Sequence, residues 1–145
     1  MPTPTIALAQ PGEHDLDVIH AYLAQSYWSP GIPRETVARS IAHSLCAIAR
    51  DEEGALVGFA RLVTDRATFG YVADVFVQPA YGGQGVARAM IKLFLDHPEL
   101  QGFKRWMLGT RDAHGVYAGV GFQPIGAPER FMEIRNFAPY GVGAG

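Results

Sequence analysis

Apolar positions along this chain change period several times, and each change marks a different element. Between Glu13 and Gln25, the residues Leu16, Ile19 and Leu23 recur at i, i+3 and i+7, the spacing of one helix face. Pro11-Gly12 separates that helix from residues 5–9, which read as a short strand. Val37, Ile41 and Leu45 stand four apart and predict a second helix over 34–44, after the loop Ser29-Pro30-Gly31-Ile32-Pro33. The pattern then shifts. Segments 45–49, 56–64 and 67–77 are rich in Val, Phe, Tyr and Leu. The polar turns Asp51-Glu52-Glu53-Gly54 and Asp65-Arg66 join them into an antiparallel meander. Val86, Met90, Ile91, Phe94 and Leu95 make one broad apolar face of a helix over 86–96, which His97-Pro98 stops. Residues 106–109 form a short apolar strand that a helical crossover sets parallel to the strand ending at Val77. Residues 112–120 read as a short helix and 131–137 as a last strand. The sum is an α+β fold, a mixed, mostly antiparallel sheet of about six or seven strands flanked by about four helices.

Composition narrows the function. The 145 residues suffice for one domain with its own core, and 1–145 is read as a single domain whose Gly-rich end, 139–145, is expected to fray. Twelve Lys and Arg against 14 Asp and Glu leave a net charge of -2, so neutralisation of a polyanion is not expected and nucleic acid is not an expected partner. A single cysteine, Cys46, removes disulfide frameworks and CxxC sites. The five His show no HExxH spacing and no GxSxG elbow occurs, so neither a metal nor a serine nucleophile is expected. No cationic stretch with an apolar core opens the chain, and no apolar run approaches the roughly 18 residues of a membrane span. The expectation is a cytoplasmic protein with no membrane partner.

The informative segment lies between the strand ending at Val77 and the helix starting at Val86. Glycines there turn the backbone tightly and let a ligand approach it, and the unpaired N–H groups of the following helix suit a phosphate. A ligand-free connector would have the same composition. The P-loop pattern is absent, because no Lys-Ser or Lys-Thr pair occurs, and a GxGxxG read from Gly83 finds Arg88 at its last position. Val77-Gln78-Pro79, followed by Gly85-Val86-Ala87 at the helix start, resembles the pyrophosphate-binding signature of the GNAT superfamily of N-acetyltransferases. That signature is a strand ending V-x-P, then R/Q-x-x-G-x-G/A. Gly82 stands where the family usually has Arg or Gln, which removes a side chain and keeps the backbone amides. Tyr117-Ala118-Gly119-Val120-Gly121-Phe122 resembles the family's closing Y-x-x-x-G-F motif. The order of elements agrees over most of the chain. Arg111-Asp112-Ala113-His114-Gly115 and Pro128-Glu129-Arg130-Phe131-Met132 resemble a small bacterial subgroup of uncharacterised acetyltransferases, whose look names no substrate.

The resemblance implies that acetyl-CoA lies where the strand ending at Val77 splays from the strand 106–109. Val75, Phe76 and Val77 would offer backbone groups to the pantetheine arm and the thioester. Gly82, Gly83, Gln84, Gly85, Val86, Ala87 and Arg88 would hold the pyrophosphate. Transfer to an amine by direct attack needs a neutral amine and a protonated leaving thiol. A phenol, with a pKa of about 10 against about 8.5 for a thiol, donates without being ionised itself, and Tyr117 is placed by its motif to do so. Asp74, a carboxylate within the apolar run 71–77, is read either as the base or as a structural partner for an Arg such as Arg61. Strict strand alternation faces it with Val72 and Phe76, opposite Val75 and Val77. Tyr27, Trp28 and Arg34 lie in or beside the loop where the superfamily builds its acceptor pocket, while Asp112 stands where many members have Asn and would contact the cofactor or cap the last helix. A homodimer also fits the family's look. The competing reading is a non-catalytic acyl-CoA-binding or sensing module, which Gly82 keeps open.

Overall fold

The structure is a computed structural model and describes residues 2–141. Its order is β1 (Thr5–Leu8), α1 (Glu13–Leu23), α2 (Arg34–Ala42), β2 (Leu45–Arg50), β3 (Leu56–Thr64), β4 (Phe69–Val77), α3 (Val86–Leu95), β5 (Arg105–Leu108) and α4 (His114–Ala118). The sheet runs β1-β2-β3-β4-β5 in space, antiparallel except for the last pair, β4 with β5. This is the expected α+β class, with five strands among the described residues rather than six or seven.

The missing strand is 131–137. Its residues alternate as a strand should, yet among the described residues no backbone hydrogen bond ties 132–137 to the sheet. A strand exists only when its N–H and C=O groups find a partner edge, and local pattern does not supply one. The last helix is also shorter than 112–120, because Gly115 and Gly119 are poor helix formers. Of the expected frayed end, 142–145 lie outside the described residues, whereas Tyr140 packs against the core.

Each sheet face carries its own core. On one side α1 and α2 bury Leu16, Ile19, Leu23, Val37 and Ile41 against Ile48, Phe59 and Phe76. On the other, α3 lays Val86, Met90, Ile91 and Phe94 over Ala49, Ala60, Leu62 and Val72. Phe94 has 0% exposure, so its loss to Ala would cost about 3–5 kcal/mol. α1 is tied to the sheet by Asp15, whose carboxylate accepts from the Gly12 N–H and from both Nη1 and Nη2 of Arg50 on β2. The Arg50 guanidinium holds the Asp15 carboxyl below its ordinary value, more than burial raises it.

Candidate active site

Strand β4 is longer than its parallel partner. Paired positions run from Phe69–Arg105 to Val72–Leu108 and stop there, while β4 continues to Val77 against β3 alone. The β5-facing edge of Val75, Phe76 and Val77 is therefore open, as the resemblance requires. The chain leaves β4 through a short 3-10 turn, Pro79–Tyr81, and enters α3 at Gly85. Gly83 and Gly85 have φ of +78° and +77°, a region that β-branched residues essentially never adopt. The first helical bond from this turn is Ala89 N–H to the Gly85 carbonyl. Among the described residues, the backbone thus takes up none of the N–H groups from Gly83 to Arg88. All of these residues except Gln84 line a cleft of about 430 Å³, together with Val77, Tyr81, Gly82 and Val116 of α4. Free donors at a helix N-terminus fit a diphosphate.

Arg88 adds a positive charge here. A Cβ on Gly119 would lie 2.7 Å from Arg88 Cζ, so the guanidinium rests against the end of α4 in space that only glycine leaves. The position where the family usually has Arg or Gln is Gly82, and Arg88 supplies a cation six residues later on the same cleft.

A second cluster, at the middle of β4, is built from side chains. Asp74 sits in a β-bulge with φ of +55°, between the pairs Arg61–Ala73 and Phe59–Phe76. The extra residue resets the strand's phase. Val72 joins the α3 core and Phe76 the α1–α2 core, so Asp74 does not share a face with both, contrary to strict alternation. Asp74 Oδ2 accepts from Arg61 Nε at 2.9 Å, and Oδ1 accepts from Trp28 Nε1 at 3.0 Å. The two ionic side chains are 9% and 17% exposed. The structural pairing with Arg61 weighed from sequence is present, and both carboxylate oxygens are committed. Tyr27 packs edge-on against Trp28, ring centroids 5.1 Å apart. Its hydroxyl accepts from the Arg111 N–H at 3.0 Å, and the Arg111 guanidinium lies 3.8 Å from its ring centroid. The α1–α2 loop is thereby fastened both to the bulge and to the β5–α4 loop.

Tyr117 is half-buried, packed with Val75 and Val77 against the α3 core and edge-on to Phe122. Burial, and after it the neighbouring Tyr27 phenol, raise its pKa above the ordinary value, so it keeps its proton through the neutral range. Cys46 is no candidate nucleophile. It is 2% exposed, and burial pushes its thiol up to about 12, with Arg61 pulling against that and Asp74 adding to it.

Two expected residues do not line this cleft. Arg34 donates to Asp17 at 2.8 Å and to Glu13 at 2.9 Å, joining the starts of α1 and α2 at the surface. Asp112 is exposed and faces Arg111 at 3.7 Å; Ala113, not Asp112, occupies the helix boundary, where its N–H donates to Thr110 Oγ1. Sequence reading missed Arg111, Tyr81 and Val116. Arg111 lies 84 positions from its aromatic partner, and no local pattern could have joined them.

Comparison with known proteins agrees with this geometry. FG08082 of Gibberella zeae, which bears an acetyltransferase designation, is 29% identical over 119 residues, covering 67% of this chain; the chain spans 66% of that relative's length. The crystal structure of xcc2953 from Xanthomonas campestris pv. campestris, assigned to the GNAT family, is 38% identical with a TM-score of 0.88, over 97% of this chain and 100% of that one. An acetyltransferase predicted in Clostridium acetobutylicum, solved with acetyl-CoA, shares the fold at 16% identity and a TM-score of 0.67, over 90% of this chain and 96% of that one. The acetyltransferase (GNAT) family pattern matches residues 11–122, and with the open β4 edge and the glycine turn in place, the chain belongs to that family.

Proposed function

We propose that this protein transfers an acetyl group from acetyl-CoA to a primary amine of a small molecule or a protein. The observation that carries the reading is the open edge of β4 beyond Val72, running directly into the unpaired N–H groups of the Gly83–Arg88 turn. Acetyl-CoA supplies the thioester, from which the acetyl group passes to the amine as the thiol leaves. The backbone N–H groups at Gly83, Gln84, Gly85, Val86, Ala87 and Arg88 hold the diphosphate, and the Arg88 guanidinium adds charge beside it. Val75, Phe76 and Val77 bind the arm by main-chain groups and polarise the carbonyl. Tyr117, kept neutral by burial, gives its proton to the leaving sulfur, and the proton that the attacking amine sheds on becoming an amide passes through solvent to restore the phenol.

Asp74 enters as a positioning residue. Taking up the amine's proton would dissolve its ion pair with Arg61, so its role is to hold Trp28 and the bulge at the acceptor side. Tyr27 and Trp28 border the acceptor space, and Arg34 and Asp112 stay outside it.

The test is thiol release from acetyl-CoA across a panel of primary amines. Tyr117→Phe should lower kcat by roughly 10²–10⁴-fold while leaving the acetyl-CoA Kd unchanged. Acetyl-CoA binding without turnover on any amine would establish the binding-module reading instead.

A further inference from the structure

Arg111 carries a charge that the acetyl-transfer steps above do not use. Its backbone N–H donates to the Tyr27 hydroxyl at 3.0 Å, and its guanidinium lies 3.8 Å from the centroid of the same ring. Held at both points, the guanidinium is oriented rather than free to swing. A guanidinium stacked on an aromatic face keeps its in-plane N–H fork available, and that fork matches a planar carboxylate. Among the described residues nothing accepts a hydrogen bond from it. Its ion-pair neighbour Asp112 stands 3.7 Å away, and both side chains are mostly exposed.

The other charges of the cluster are already paired. Asp74 gives one oxygen to Trp28 and the other to Arg61, and Arg61 also donates to Ser44 Oγ at 3.1 Å. Asp74 therefore has no oxygen left for a cation on the acceptor, whereas Arg111 has its fork for an anion. Tyr27 joins Arg111 to the rest of the site. It packs against Trp28, and its phenol is near enough to Tyr117 to raise that residue's pKa. We infer that Arg111 is a specificity-determining residue that binds a carboxylate of the acceptor, which is then a small amino acid-like molecule. Arg111 and Tyr117 are six positions apart and both neighbour Tyr27, so one small molecule spans from amine to carboxylate. The inference rests on the acetyl-transfer reading for the amine and adds the second group that holds the acceptor.

The test compares pairs that differ only in bearing a carboxylate or its amide: β-alanine with β-alaninamide, leucine with leucinamide, and para-aminomethylbenzoate with its carboxamide. By calorimetry on the full chain saturated with CoA, at least one carboxylate should bind about ten-fold or more tighter than its amide. Thiol release from acetyl-CoA should show the same preference in kcat/KM. Arg111→Gln should erase the preference, and Arg111→Lys, which keeps the charge and loses the fork, should retain part of it. A merely structural role for the stack would lower both members of a pair equally. Equal binding of acid and amide in every pair, or a preference that persists in Arg111→Gln, overturns the proposal. So does a lysine-containing peptide amide acetylated with higher kcat/KM than every amino acid, which would make the acceptor a protein. Thiol release from acids and amides alike would overturn it and leave acetyl transfer standing. Carboxylate-selective binding without thiol release would support the Arg111 site and count against transfer.

Discussion

The glycine turn before α3 and the side-chain cluster around the β4 bulge are made by different means. The turn proposed to hold the coenzyme is a continuous piece of backbone from Val77 to Arg88, where glycines set φ and the start of α3 leaves donors free. The second cluster, proposed to border the acceptor, is assembled from side chains distant in sequence, Trp28 with Asp74 across 46 positions and Tyr27 with Arg111 across 84. A backbone turn depends on conformation and tolerates most changes of side chain. A side-chain cluster depends on each partner, so a single substitution there should alter acceptor use and leave the coenzyme's hold intact.

Four experiments would break or sharpen that contrast. Gly85→Val should have the largest effect, raising the acetyl-CoA Kd about 100-fold by calorimetry, because φ of +77° costs a β-branched residue roughly 1–2 kcal/mol and its methyls enter the diphosphate's approach. An unchanged Kd would place the phosphates elsewhere. Asp74→Asn should lower stability by about 2 kcal/mol in a thermal melt, less than for a fully buried pair because Arg61 retains some solvent. The same variant should raise the acceptor KM and leave acetyl-CoA affinity alone; a weakened coenzyme instead would join the two regions into one.

Gly119→Ala should displace the Arg88 guanidinium and weaken acetyl-CoA binding by about three- to ten-fold. Arg88→Ala should do the same, and the double variant should do no more, as expected of groups acting through one contact. Full additivity would mean that Gly119 acts independently of Arg88. The smallest effect concerns neither region. The native Asp15 carboxyl is held below its unfolded value, so its contribution is present above about pH 4 and disappears as pH falls through the lowered native value. Asp15→Asn should therefore be less stable than wild type at neutral pH, with the difference shrinking in acid; a constant difference would detach the effect from ionisation.

Much of the glycine turn was legible because its determinants are local. The apolar stripe of Val86, Met90, Ile91 and Phe94, the glycines before it and the end of the strand at Val77 sit within 18 consecutive residues. Tyr117 was likewise readable from its motif. Less of the side-chain cluster could be read. Asp74 was noticed as a carboxylate in an apolar run, but its bulge, with φ of +55°, broke the alternation used to orient it. Arg34 had the right composition and loop for a substrate contact, and two carboxylates of α1 took its guanidinium. The stretch 131–137 alternated like a strand and found no edge within its own chain.

By itself, then, the order of residues determined most of the helices and strands from 5 to 108, the glycine-rich character of the turn after Val77, and that a helix N-terminus follows it. These follow from periodicity and from φ preferences, which act over a few residues. Tertiary structure alone decided where β4 loses β5, which carboxylate Arg61 and Trp28 share, and that Arg111 closes on Tyr27. Those outcomes are set when distant surfaces pack and charged groups find the nearest partner, and that competition is settled only once the whole chain is in place.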